Sequence, residues 1–212
     1  TRDKAAASAK VRAMISGAVE RVKLQEELQP SQVEVNPATL VVGGGIAGLQ
    51  AATELADGGY PVYLVEREPS IGGHMAQFDK TFPTLDCAAC ILTPKMVDAG
   101  AHPNITLHTW SEVVDVSGSV GDFKIKVKHK PRMVVEADCT GCGICWEKCP
   151  VQVIDTGFEA GIGYRKAIYT PFPQAVPKYP VLTPEDCTYF QKGTCKACEK
   201  FCPVDCIDFT QT

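Results

Sequence analysis

No apolar run in this chain approaches the ~18 residues that a membrane span requires, so the sequence offers no membrane-crossing helix. A dominant charge is missing as well. Against 25 acidic residues stand 21 basic ones, a net charge of −4, and no basic field advertises nucleic acid. The opening stretch TRDKAAASAKVR lacks both the apolar centre of a secretory signal and an initiator methionine, which points to a processed chain or a piece of a longer one. With 45% apolar residues, wholesale disorder is excluded. At 212 residues the chain suggests one domain and a fraction. What the sequence has in excess is cysteine. There are 11, an odd number, and most fall between Cys139 and Cys206. A disulfide scaffold would be shorter, evenly paired and secreted. A metal or redox framework in a reducing, cytoplasmic compartment is the expectation.

Residues 4–28 have helical composition, with Val11, Ile15, Val19 and Val22 at near-helical spacing, and predict an amphipathic linker helix packing on a neighbour. After Pro30 and Pro37, the residues TLVV (39–42) predict a buried strand, 46–57 a helix, and YPVYLVE a second strand. That is one βαβ unit. From residue 105 short strands are expected, ITLHTW and EVVDV, then FKIKVKHK after the turn-like SGSVG. Lys124, Lys126, Lys128 and Lys130 share one face of the last strand, either solvated or an electrostatic dock for an acidic carrier. The prolines at 171, 173, 177, 180 and 184 require extended, non-helical chain in the middle of the Cys-rich part. The expected division is a linker helix over 1–36, a dinucleotide-binding portion with a β-rich extension over 37–135, and a Cys-rich domain over 136–212.

Gly43-Gly44-Gly45-Ile46-Ala47-Gly48 matches GxGxxG, a weak signal alone that gains weight between a strand and a helix. Gly43 permits the tight turn, Gly45 lets the backbone approach a pyrophosphate, and Gly48 allows close helix–strand packing. The helix start at Ile46 and Ala47 offers free N–H groups and the positive end of the dipole. Glu66 ends the second strand, where a carboxylate can accept ribose hydroxyls. The stretch Glu66-Arg67-x4-Gly72-Gly73 resembles the extension found in FAD-binding oxidoreductases of the glutathione and thioredoxin reductase class, and that likeness favours FAD over NAD.

Cys139-x2-Cys142-x2-Cys145-x3-Cys149-Pro150 is the bacterial ferredoxin spacing for [4Fe–4S] ligation, a highly specific signal. Zinc seldom uses so compact a triple spacing followed by proline. The second run, Cys187-x7-Cys195-x2-Cys198-x3-Cys202-Pro203, has the same ending, and its longer first gap reads as a loop insertion, TYFQKGT. In two-cluster ferredoxins the fourth cysteine of each run serves the other cluster. One cluster would then use Cys139, Cys142, Cys145 and Cys202, and the other Cys187, Cys195, Cys198 and Cys149. Cys149 is expected to begin a helix. Cys206 reads as an inert core residue. Cys87-Ala-Ala-Cys90 is open between a redox dithiol, ligands of a third cluster and buried thiols. The histidines, His74, His102, His108 and His129, form no metal or general-base spacing, and Trp110 and Trp146 read as packing residues. Lys95 could approach a flavin ring.

Together the stretches VVGGGIAGLQAA, LVEREPSIGGHMAQ, LDCAACILTPKM, CTGCGICWEKCP and CPVDCIDF resemble the A-type subunit of heterodisulfide reductase and its relatives. The resemblance implies an α/β chain: part of a Rossmann-like FAD-binding domain, then an α+β ferredoxin-like domain with two [4Fe–4S] clusters. It also places Cys87 and Cys90 in a third cluster shared with residues outside this chain. The implied activity is that of an electron-transfer subunit in an anaerobic reductase complex, running flavin-based bifurcation between a two-electron donor, ferredoxin and a disulfide reduced on a partner. The implied partners are disulfide-reducing and hydrogenase or formate dehydrogenase-type subunits, ferredoxin, and a second copy in a dimer. Two other readings are a non-catalytic ferredoxin relay and a flavin dithiol reductase using Cys87 and Cys90. A quinone-linked adaptor is a related variant of the first.

Overall fold

A computed structural model describes residues 3–28, 30, 32 and 34–212; residues 1, 2, 29, 31 and 33 of the expected linker lie outside the described residues. The chain divides into two units, Thr1–Glu34 and Val35–Thr212. The first holds helix α1, Lys4–Lys23. Asp3 caps it, its carboxylate accepting from the N–H groups of Ala5 and Ala6 at 2.9 and 3.1 Å, and Arg21 and Lys23 complement the dipole at the other end. The helix is shorter than the expected 4–28, because the N–H groups of Leu24 and Gln25 close it with tight bonds to the carbonyls of Arg21 and Val22, at 3.2 and 3.1 Å. Val11, Ile15, Val19 and Val22 are all exposed.

The second unit begins with the expected βαβ motif: β1 (Thr39–Val42), α2 (Ile46–Asp57) and β2 (Val62–Val65), paired in parallel with Thr39 opposite Val62. A single 3-10 turn, Gly73–Gln77, precedes α3 (Ala88–Ala101). The sequence reading contains no counterpart of this helix. Ala88, Leu92, Met96 and Ala99 are buried at helical spacing, but Pro94 inside the same stretch argues against a helix. Its presence changes the role of the next strand. β3 (Ile105–His108) follows a second crossover and pairs in parallel with β2, so ITLH is the third strand of the nucleotide sheet and not part of a β-rich extension. Leu49, Ala52 and Ala56 of α2 pack with Leu92, Met96 and Ala99 of α3 over Val62 and Leu64.

β4 (Ser111–Ser119) and β5 (Asp122–His129) form an antiparallel hairpin. β4 runs through the residues expected as a turn, leaving only Val120 and Gly121 at the tip. A bulge between Val113 and Asp115 breaks its register. Asp115 lies 3.8 Å from Lys126, and Glu112 pairs with Lys130, so the opposite strand offsets half of the lysine face.

The remainder is short elements on long connections: α4 (Ile144–Glu147), β6 (Val153–Ile154) with β7 (Tyr164–Arg165), β8 (Ile168–Tyr169) with β9 (Val181–Leu182), α5 (Thr188–Lys192) and α6 (Ala197–Lys200). As the prolines require, no helix occupies residues 150–183. Two expectations fail locally. The TYFQKGT insertion forms α5, stopped by Gly193 at φ +69°, instead of a loop. Cys149 follows the end of α4 instead of beginning a helix, since Pro150 and the strand after it leave no room for one. This core is built from Met133, Val134, Ala167, Ile168, Leu182 and Ile207 together with the thiols of Cys145, Cys149, Cys187, Cys198 and Cys206. The two cores are joined through Phe172 and Val176, which pack on the first, and through the Ile71 N–H, which donates to the Val176 carbonyl at 3.0 Å. No helix among the described residues is long and apolar enough to cross a membrane.

Leu64 is fully buried beneath both helices. Leu64→Ala should cost about 3 kcal/mol of unfolding free energy, read as a lower midpoint with unchanged slope in anaerobic urea denaturation.

Candidate functional site

The glycine turn has the shape the sequence required. Gly43 sits at φ +100°, where other residues are strained. A Cβ on Gly48 would lie 1.9 Å from the Gly43 carbonyl oxygen, so α2 can approach β1 only with glycine there. Gly45 instead faces open space, a cradle that a ligand can enter against bare backbone. The first N–H groups of α2, on Ile46 and Ala47, lack intrahelical acceptors, and no side chain caps them. Gly72 and Gly73 close the turn from the other side. The Gly72 N–H donates to the Gly44 carbonyl at 2.7 Å, and a Cβ on Gly73 would stand 3.0 Å from the Gly45 Cα.

Glu66 is buried, and both its oxygens are engaged by the chain itself. Oε2 accepts from the Gly44 N–H at 2.6 Å and Oε1 from the Glu68 N–H at 2.9 Å. The carboxylate therefore fixes the turn against the end of β2, and each oxygen keeps a further lone pair for a ribose hydroxyl. Arg67 is turned to solvent beside Glu68, at 3.5 Å.

The cysteines gather in two hollows. Cys139, Cys142, Cys145 and Cys202 line one, with Trp146, Pro180 and Ile207. Cys149, Cys187, Cys195 and Cys198 line the other, with Ala167, Ile168 and Leu182. Each hollow thus takes three thiols from one run and the fourth from the other. A lone zinc ion would need its thiolates within about 2.3 Å of one point; among the described residues no three His, Cys, Asp or Glu side chains converge in that way. Four thiols around an apolar hollow fit a cluster whose separate iron atoms each take one. Burial pushes the Cys145 thiol up to about 12 and the Cys198 thiol up to about 11, with neighbouring thiols adding to the rise. Such thiols are neutral at physiological pH until a metal displaces their protons.

Cys206 is buried as expected, but it lies in the wall of the first hollow. Its Sγ is 3.5 Å from Cys202 Sγ, and its N–H donates to that sulfur at 3.4 Å. Burial pushes the Cys206 thiol up. Although burial acts to raise it, Cys202 is held below the ordinary thiol value by the N–H groups of Cys206, Val204 and Asp205. Cys87 and Cys90 are exposed at the start of α3 and are joined as a disulfide. A disulfide sulfur offers no thiolate to iron, so a ligand role for this pair requires its reduced form. Lys95 is held on α2 by Gln50, at 2.5 Å, and His74 pairs with Gln77 at 2.8 Å. Trp146 packs against Gly143 beside the first hollow. The residue that sequence reasoning missed is Arg132, whose buried guanidinium contacts Pro69, Thr109 and Tyr179. The local sequence offers only its pairing with Glu136, four residues on; the three partners that bury it are distant in sequence.

This is a Rossmann-like dinucleotide-binding fold joined to a ferredoxin-type 4Fe–4S fold. The profile of the NAD(P)-binding Rossmann-like domain matches residues 41–106, and that of the 4Fe–4S binding domain matches residues 133–155. The chain is 55% identical over 175 residues to one of two A-type CoB–CoM heterodisulfide reductase iron-sulfur subunits of Methanopyrus kandleri, covering 82% of this chain and 26% of that protein. It is 49% identical over 209 residues to the A-type CoB–CoM heterodisulfide reductase iron-sulfur subunit of Methanocaldococcus jannaschii, covering 99% of this chain and 31% of that one. Among solved structures, L-proline dehydrogenase from P. horikoshii is similar over 49% of this chain and 21% of its own, at 21% identity and a TM-score of 0.39. The chain belongs to the family of A-type heterodisulfide reductase subunits, and it spans between a quarter and a third of the length of the curated relatives it matches.

In the metal-free chain at pH 8, iodoacetamide should modify exposed Cys142 well before Cys145 and Cys198. Thiols at about 11 and about 12 hold roughly one thiolate in a thousand or fewer there. Raising the pH should accelerate labelling of these two, and mass-mapped labelling at equal rates at pH 8 would contradict the burial described.

Proposed function

We propose that this chain is the flavin and iron–sulfur electron-transfer part of a heterodisulfide reductase-type complex, binding FAD at the glycine turn and one [4Fe–4S] cluster in each cysteine hollow. The observation that carries the reading is the crossed gathering of eight thiols beside a glycine turn braced by Glu66. Residues 37–135 form the nucleotide part and 136–212 the cluster part, with 1–36 as linker. When bound, FAD takes up an electron pair and passes electrons singly, and each cluster carries one at a time.

The protein's own work is placement. The backbone at Gly45, Ile46 and Ala47 meets the pyrophosphate, Gly43 and Gly48 permit the turn, and Gly72 and Gly73 hold it closed. Glu66 orients the ribose while bracing Gly44. Arg67, on the exposed side, is available to the far end of the dinucleotide. Cys139, Cys142, Cys145 and Cys202 hold one cluster, and Cys187, Cys195, Cys198 and Cys149 the other. Apolar side chains line both hollows, and with the hydrogen bonds to sulfur they would tune the potentials.

The finer reading is flavin-based bifurcation, in which a two-electron donor supplies ferredoxin and a disulfide-reducing partner at once. The partners would be disulfide-reducing and hydrogenase or formate dehydrogenase-type subunits, ferredoxin and a second copy of the chain, all in the cytoplasm, where thiols stay reduced. On this reading reduced Cys87 and Cys90 ligate a third cluster with residues of another segment. The disulfide between them favours a second reading, in which the pair, reduced to the dithiol by electrons from the flavin, attacks a substrate disulfide, releases its two thiols and returns to the disulfide.

Anaerobic iron, acid-labile sulfide and flavin analysis tests the reading. About eight irons per chain, with FAD in the assembled complex, is the expected result, and zinc in place of iron or no flavin in the complex would contradict it. Cys87→Ser with Cys90→Ser separates the two roles. Loss of iron beyond eight in the complex marks ligands, whereas unchanged iron with lost disulfide turnover marks a dithiol.

A further inference from the structure

Arg132 carries a buried positive charge that the glycine turn and the thiol sets leave unexplained. Only 3% of its side chain is exposed. Nη2 donates to the Pro69 carbonyl at 2.8 Å and to the Thr109 hydroxyl, and Nη1 donates to the Tyr179 carbonyl at 3.2 Å. These three acceptors are neutral. The compensating charge is Glu136, whose Oε1 lies 2.6 Å from Nε in an ion pair without the alignment of a hydrogen bond. Glu136 is itself half-exposed, so part of its charge is screened by solvent.

The position of this cation is specific. Pro69 belongs to the loop that leads into Gly72 and Gly73. Tyr179 precedes Pro180 and Glu136 lies just before Cys139, and both Pro180 and Cys139 line the first hollow. The Cys139 N–H donates to the carbonyls of Val135 and Glu136 at 3.2 and 3.3 Å, so the ion pair and the ligand loop move as one piece. Burial lowers the pKa of the guanidinium while Glu136 raises it, with a smaller contribution from the Cys139 thiol; arginine stays cationic throughout. The Arg132 carbonyl accepts from the N–H of Leu182, which lines the second hollow, at 3.1 Å, but the contacts of the charged guanidinium lead to the first.

We propose that Arg132 is a positioning residue that raises the reduction potential of the cluster held by Cys139, Cys142, Cys145 and Cys202 while pinning the ligand loop to the nucleotide loop. This rests on the iron–sulfur reading above. Reduction adds a negative charge to a cluster, and a nearby buried cation stabilises the reduced form more than the oxidised one. Glu136 tempers the effect. The guanidinium is tied to the loops of the first hollow and not to a ligand loop of the second, so the two clusters are expected to differ in potential through a residue that ligates neither.

EPR-monitored redox titration of the chain, prepared anaerobically with its clusters, tests this. Arg132→Gln is expected to lower one potential by about tenfold in the reduction equilibrium, about 59 mV for one electron, and to leave the other in place. Glu136→Gln keeps the size of a half-exposed side chain and gives a second reading where Arg132→Gln does not fold; it should move the same cluster the opposite way. The signal that moves should be the one altered by Cys142→Ser and not by Cys195→Ser. Unmoved potentials, equal shifts in both clusters, or shifts of one sign in both variants would overturn the role of Arg132 with the clusters intact. A parent chain without any iron–sulfur signal would overturn the reading beneath it, and the proposal with it.

Discussion

Each run of cysteines completes the hollow of the other. Cys202 crosses to join Cys139, Cys142 and Cys145, and Cys149 crosses to join Cys187, Cys195 and Cys198. A long Pro-rich connection with only two-residue strands lies between the runs, and it has little secondary structure of its own to hold it. The crossing closes that connection at both ends. Five of the thiols involved in or bordering the hollows also belong to the hydrophobic core of this part. Core and candidate ligand set therefore share atoms, and metal binding there would be coupled to folding. Buried, neutral thiols pack as small apolar groups without metal, and thiolates become stable there only when iron takes up their charge.

The nucleotide part solves a different problem, that of bringing bare backbone to a ligand. Gly43, Gly48 and the Gly72–Gly73 pair each remove a Cβ that would collide or strain. Glu66 then supplies a buried carboxylate, spent first on the chain's own N–H groups. The two parts meet through the segment around Val176, which bonds to Ser70 and Ile71, and through Arg132. The loop that would carry the dinucleotide is thus held by the domain that would carry the clusters, so distances between them are set by buried contacts and not by a flexible linker.

Much of this was legible in the sequence because spacing carries it. The limits of β1 and α2, the parallel pairing of β1 with β2, and the absence of helix through the prolines all follow from periodicity and turn residues. The ligand spacing of the two runs likewise signalled the two thiol sets. What was not legible depends on competition or distance. In α3, Pro94 and the CAAC motif masked a helical face made by Ala88, Leu92, Met96 and Ala99. Without that helix, β3 could not be assigned to the parallel sheet. The TYFQKGT insertion is too short for periodicity to reveal α5. The burial of Arg132 lies beyond local reasoning, since Pro69, Thr109 and Tyr179 converge on it only in the folded chain.

The crossed ligand sets are the central claim, and Cys149 separates them from ligation of each cluster by its own run. EPR spectra of anaerobically prepared Cys149→Ser should show a change in the same cluster signal that Cys195→Ser changes, although Cys149 lies in the first run. A change instead in the signal that Cys142→Ser alters would contradict the account.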